Sequence, residues 1–120
     1  MVESEAGGNA LYTLGIDFGT QSAKALVLDA STADVVHTDS MEYDAAFPSY
    51  QTRGGVLPSD HPALRHTSPF MLLEALDLIF GRLQKSGVDL ASVGAVKIDA
   101  MQHCTVYADA SFGERVESLD

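Results

Sequence analysis

The stretch LGIDFGTQSAKALVLD, residues 14–29, places Asp17, Gly19, Thr20 and Lys24 between two apolar runs. Before it, Tyr12, Leu14, Ile16 and Phe18 alternate with other residues, the period of a strand with one buried face. After it, SAKALVLD reads as a second strand. A plain hairpin needs only a turn dipeptide. This turn carries a carboxylate, a hydroxyl, an amide and an amine within eight residues, a set suited to an anion held with a metal ion.

Working outward, residues 29–33 (DASTA) form a turn, and ADVVHTDSMEY reads as a third strand. Three strands joined by short turns make an antiparallel meander. Residues 44–66 hold three of the four prolines and the Gly54-Gly55 pair without a regular period, so a long loop is expected there. A helix is expected from Pro69 to Ser86, with Ser68 as its N-cap, Pro69 in its first position and Gly87 at its end. Its buried stripe reads as Leu72, Leu76, Ile79 and Leu83. SVGAVKID is a mostly apolar strand, expected to lie parallel to the first strand at the centre of the sheet and to be buried on both faces. CTVYAD and GERVES are expected to close a last hairpin around residues 110–112.

Composition narrows the function. The chain has 120 residues, 46% of them apolar, which suits one modest globular domain. Seventeen acids against seven bases give a net charge of −10 and no basic cluster, which disfavours nucleic acid as a partner. A single cysteine, Cys104, precludes an internal disulfide and fits a reducing cytoplasm. No apolar run is long enough for a membrane span, and the opening MVESEAGGNA reads as an acidic, flexible lead-in rather than a signal peptide.

The residues themselves suggest roles. Asp17, at the end of the first strand, is the candidate ligand of a magnesium ion, which favours a few carboxylates and keeps several waters. Gly19 lets the backbone turn tightly. The N–H groups of Thr20 and Gln21 and the Thr20 hydroxyl can donate to phosphate oxygens, and Lys24 supplies positive charge if strand alternation points it inward. Gln102 and His103 follow the C-terminal end of the apolar strand, where open sheets bind ligands, and both side chains suit sugar hydroxyls. Asp99 reads as a structural acid and Cys104 as a small buried residue, while His37, His61 and His66 lack metal-ligand spacing and read as surface groups.

Two segments carry a family resemblance. IDFGTQSAK resembles the first phosphate-binding segment of the actin-like ATPase superfamily, and VGAVKIDAMQHCTVY is similar to the sugar-contacting strand and turn of FGGY carbohydrate kinases, the xylulokinase-like members in particular. Ala100 and Cys104 stand where that family often has glycine, and the chain has no tryptophan. The resemblance implies a ribonuclease-H-like α/β fold, a mixed sheet made of a three-stranded antiparallel meander, then a helix and a parallel strand. It implies residues 11–120 as the N-terminal part of the first kinase domain, with ATP and Mg²⁺ as cofactors. Asp17 is then the metal residue, Gly19, Thr20, Gln21 and Lys24 the phosphate residues, and Gln102 and His103 the sugar residues. No catalytic base is expected within this segment; the family's aspartate base and adenosine pocket come from later parts. The implied partners are a sugar and ATP, with no nucleic acid and no membrane. A homodimer is expected from packing, since a single helix leaves one sheet face open. Two other readings use part of the same residues. A non-kinase actin-like ATPase or chaperone segment needs residues 17–20 but has no use for Gln102 and His103, and an interaction module keeps the fold without the chemistry.

Overall fold

The computed structural model describes residues 11–118; the lead-in read at residues 1–10 lies outside them. Three strands come first: β1 (Tyr12–Phe18), β2 (Ser22–Asp29) and β3 (Val35–Glu42). They form the expected antiparallel meander. The turn between β2 and β3 is tied by Asp29, whose carboxylate accepts from the Ser31 N–H and hydroxyl and from the Thr32 N–H. Helix α1 (Tyr43–Ala46) and a short 3₁₀ turn (Pro48–Tyr50) follow directly, so the segment read as an irregular loop begins with ordered backbone. Helix α2 (Pro69–Ser86) has the expected bounds, with Gly87 ending it at φ 91°. Ser68 occupies the N-cap position, but its hydroxyl makes no capping hydrogen bond.

Strand β4 (Val93–Ala100) returns parallel to β1, in the order β3-β2-β1-β4. Parallel pairing is as expected, but the central, doubly buried position is not. Among the described residues β4 is an edge strand, with Val96 50% and Ile98 49% exposed. The reason is width. An α-helix is about 10 Å across, and strands lie about 4.8 Å apart, so α2 covers about two strands. It covers β1 and β2 and reaches Met41 of β3, where Leu14, Ile16, Phe18, Ala23, Ala25 and Val27 are buried. The apolar run in β4 lies beyond its reach.

From α2, Met71, Ala75, Ile79 and Leu83 enter this core, while Leu72 and Leu76 are only partly buried against it. The expected stripe is thus displaced by one position in its first half. Arg82 of α2 pairs with Asp39 of β3 at 3.0 Å, and the Tyr50 hydroxyl donates to Glu74, so both the meander and the following segment are tied to α2. The last hairpin does not form. Residues 101–110 have no strand, and GERVES lies largely in α3 (Phe112–Glu117), whose Phe112 ring packs 5.5 Å from that of Phe70.

Candidate functional site

The site begins where β1 ends. Alternation along β1 sends Leu14, Ile16 and Phe18 to the core and Asp17 to the opposite, open face. Register places Asp17 between Lys24 of β2 and Asp99 of β4. Lys24 is therefore not turned away: cross-strand partners share a face, and both residues line an open groove of ≈ 760 Å³ with Lys97 and Asp99. Asp99 pairs with Lys97 of its own strand at 3.2 Å, both side chains exposed.

The turn that follows is held by its carbonyls. The Gly19 N–H donates to Ser22 O at 2.9 Å, and the Gly19 carbonyl accepts from the Tyr43 hydroxyl at 2.9 Å. The Gln21 carbonyl accepts from the Tyr43 N–H at 3.0 Å. Gly19 does not adopt a positive φ; its missing side chain matters because a Cβ there would lie 3.2 Å from the Ser22 carbonyl oxygen. Burial, and after it the negative charge of Asp17, push the Tyr43 phenol up to about 12. Tyr43 therefore remains a donor across the physiological range. Among the described residues, the Thr20 and Gln21 N–H groups have no hydrogen-bond partner, so two adjacent donors are left free at the turn.

A second segment underlies the turn. Asp44 of α1 accepts from the Thr52 hydroxyl at 2.6 Å, the Gly54 N–H at 2.7 Å and the Gly55 N–H at 3.0 Å. The same three bonds, Thr52 first, hold the Asp44 carboxyl below its ordinary value of 3.8. A depressed carboxyl stabilises the folded state above its unfolded pKa, and that contribution disappears as pH falls through the folded value. The loop around Gly54 and Gly55 is accordingly expected to stay closed at pH 5 and to loosen only as pH falls below 3.8. Backbone amide shifts of Gly54 and Gly55 followed from pH 5 to pH 2 check this, and opening at pH 5 would contradict it.

Beyond the C-terminal end of β4, which lies beside the end of β1, Gln102 and His103 meet the turn. Both line a cavity of ≈ 240 Å³ together with Thr20, Gly55, Arg65, His66, Thr67 and Cys104. His103 sits at φ 55°, a left-handed conformation that non-glycine residues seldom adopt and that concentrates at functional sites. Cys104 is exposed, not buried as its size suggested, because no element packs over residues 101–110. The candidate residues thus fall into two adjoining places. Asp17 and Lys24 face the groove on the open side of the sheet, and Thr20, Gln102 and His103 share the cavity at its end. Sequence reasoning missed Tyr43, Asp44, Thr52, Arg65 and His66 as neighbours of the turn. The Gly54-Gly55 pair was the one local signal pointing to that segment.

The chain is 39% identical over 108 residues to xylulose kinase 2 of Arabidopsis thaliana and 40% identical over 96 residues to the xylulose kinase of Mus musculus, matches that take in 89% and 78% of the chain. Over 109 residues, 91% of the chain, it is 31% identical to the xylulose kinase of Saccharomyces cerevisiae. Over most of its own length the chain is similar to xylulose kinases. It spans 17–19% of the length of these three relatives. No family model matches it. Its fold is similar to that of a xyloylose kinase from Brucella ovis, with a TM-score of 0.64 at 21% identity over 83% of this chain and 18% of that one. A gluconate kinase from Lactobacillus acidophilus shares the fold with a TM-score of 0.56 at 20% identity, over 78% of this chain and 16% of that one. The four-stranded mixed sheet with α2 against it is part of a ribonuclease-H-like domain, the architecture expected of a carbohydrate kinase.

Proposed function

We propose that this chain is the N-terminal part of an ATP-dependent FGGY carbohydrate kinase that transfers the ATP γ-phosphate to a hydroxyl of a xylulose-like pentulose or a related polyol. The observation that carries the reading is the cavity shared by Thr20 of the anion-accepting turn and by Gln102 and His103. A kinase must hold a phosphate and a hydroxyl side by side, because phosphoryl transfer rests on positioning and charge stabilisation.

In this reading Thr20 and Gln21 donate to phosphate oxygens through their free N–H groups, and Gly19 shapes the turn. Lys24 adds positive charge from the open groove. Gln102 and His103 bond the sugar hydroxyls. Asp17 is the residue for Mg²⁺, and its exposed carboxylate, facing the same groove as Asp99, fits an ion that takes few protein ligands. Magnesium, when bound, neutralises charge on the phosphate oxygens. No residue of this chain is assigned as the catalytic base, which the proposal places in the remainder of the kinase. The proposal includes a cytoplasmic enzyme, supported by the single cysteine, with a sugar and ATP as partners; the acidic balance disfavours nucleic acid, and no membrane partner is proposed. No helix among the described residues is long and apolar enough to cross a membrane. The proposal includes a homodimer.

The test is ATP-dependent phosphorylation by the full-length protein across a panel of D-xylulose, D-ribulose, L-ribulose, glycerol and gluconate. The expected result is a kcat/KM for xylulose at least about tenfold above the others, the equivalent of about 1.4 kcal/mol of transition-state discrimination. Equal turnover of all five, or none, would overturn the reading.

A further inference from the structure

The kinase reading accounts for the turn at residues 19–21 but not for the bonds gathered around Asp44. Asp44 lies more than twenty residues beyond that turn in sequence, and its carboxylate spends both oxygens on residues 52–55. Its neighbour Tyr43 is fully buried and turns the other way, donating its N–H to Gln21 O and its hydroxyl to Gly19 O. The two adjacent residues thus grip two different segments. The segments then touch: Gly55, at φ 79°, lies so close beneath Thr20 that any Cβ would run into the Thr20 carbonyl oxygen, and Gly54 packs against the Gln21 side chain. The carbonyls of Gly19 and Gln21 are bonded and that of Thr20 is backed by Gly55, leaving the Thr20 and Gln21 N–H groups as the free edge of the turn.

We infer that Asp44 is a positioning residue for the phosphate-binding turn: it closes residues 52–55 into a brace that, together with Tyr43, holds the Thr20 and Gln21 N–H groups outward for an anion. The functional part of this statement rests on the kinase reading; the mechanical part does not. A turn free to rotate its peptide planes must be ordered by each incoming phosphate, which weakens binding, and a turn locked beforehand avoids that cost. Asp44 touches neither the open groove nor the cavity that holds Gln102 and His103, so its loss acts on the turn through Gly55 and Tyr43.

The experiment has two arms in the full-length protein, with Asp44→Ala and the milder Asp44→Asn. The first arm is amide hydrogen exchange without nucleotide. Faster exchange at Gly54 and Gly55 is trivial, since their acceptor is gone. The inference requires the Gly19 and Tyr43 amides, which bond Ser22 O and Gln21 O, to speed up by at least about tenfold as well. Acceleration confined to Gly54 and Gly55, or none at all, would overturn it. The second arm is steady-state kinetics with MgATP. KM for MgATP is expected to rise about tenfold in Asp44→Ala and less in Asp44→Asn, with KM for the sugar within about twofold of wild type. Equal rises in both KM values would also overturn it. Should Asp44→Ala fail to fold, Asp44→Asn and Thr52→Val decide the first arm in its place. Should the wild-type protein phosphorylate no sugar, the kinase reading falls while the exchange arm still decides the brace.

Discussion

On the proposed kinase reading, replacing Asp17 with alanine in the full-length protein is expected to lower sugar phosphorylation by about 10²–10³-fold or more, the scale of losing one preorganised electrostatic contact to a transition state. Sugar affinity should stay within about twofold. The carboxylate lies on the open face of the sheet, between Lys24 and Asp99, and not in the cavity that Thr20 shares with Gln102 and His103. It is also exposed, so its removal leaves no cavity in the core and folding should be intact. His103→Ala is the reciprocal variant. It is expected to weaken sugar binding by about 1–3 kcal/mol, the cost of losing one hydrogen bond at a buried substrate hydroxyl, while KM for MgATP changes little. Calorimetric titration of sugar and of MgATP, beside steady-state rates, separates the two. If either variant weakens sugar and nucleotide binding equally, the division of labour between Asp17 and His103 is wrong.

The second large effect concerns the 120-residue chain expressed by itself. It should phosphorylate no sugar, and it should self-associate through β4. The packing expectation from sequence put the exposed apolar surface on the sheet face away from the helix. In the structure that face is mixed, with Thr13, Asp17, Lys24, Lys97 and Asp99 on it beside Leu26, Leu28 and Ala95. Further apolar exposure lies along the edge. Val96 and Ile98 pair with Leu14 and Ile16 and share their face, but protrude beyond α2. An edge strand with free backbone groups and half-exposed Val and Ile is a template for pairing with another copy. Completing the burial of a half-exposed Val or Ile gains about 1 kcal/mol, so four such side chains in a symmetric pair contribute about 4 kcal/mol before any added backbone hydrogen bonds. The net charge of −10 opposes association, but screening confines that repulsion to about 8 Å at physiological salt. Sedimentation velocity should show dimers or larger species at tens of micromolar, and monomers for the Val96→Lys, Ile98→Lys double variant. A wild-type chain that remains monomeric at high micromolar concentration would refute the edge argument, and sugar-dependent ATP turnover by that monomer would refute the assignment of the base to the remainder of the kinase.

Local pattern alone determined much of this protein. Alternation in residues 12–18, the short turn tied by Asp29, and the Pro69 and Gly87 boundaries of α2 are properties of neighbouring residues, and each was legible because its physics is local. The same holds for parallel pairing of β4 with β1, which follows from the intervening helix. The residues at Asp17–Gln21 and at Gln102–His103 also announced themselves, since polar groups at strand ends stand out against apolar runs. Tertiary structure decided the rest. An apolar run such as residues 93–98 reads the same whether it is central or at an edge; its exposure depends on the width of α2, which no local pattern records. GERVES lies in a helix whose first residue, Phe112, packs on Phe70 more than forty residues away, a contact that no local pattern records. Leu72 gave way to Met71 in the core because packing against the sheet, and not the helix by itself, set the buried face. Above all, the meeting of Thr20 with His103 and of Asp44 with the Gly54-Gly55 pair beneath the turn joins segments far apart in the chain. Such contacts arise only when the sheet brings strand ends together, so the sequence held the chemical groups and the fold alone made them a candidate site.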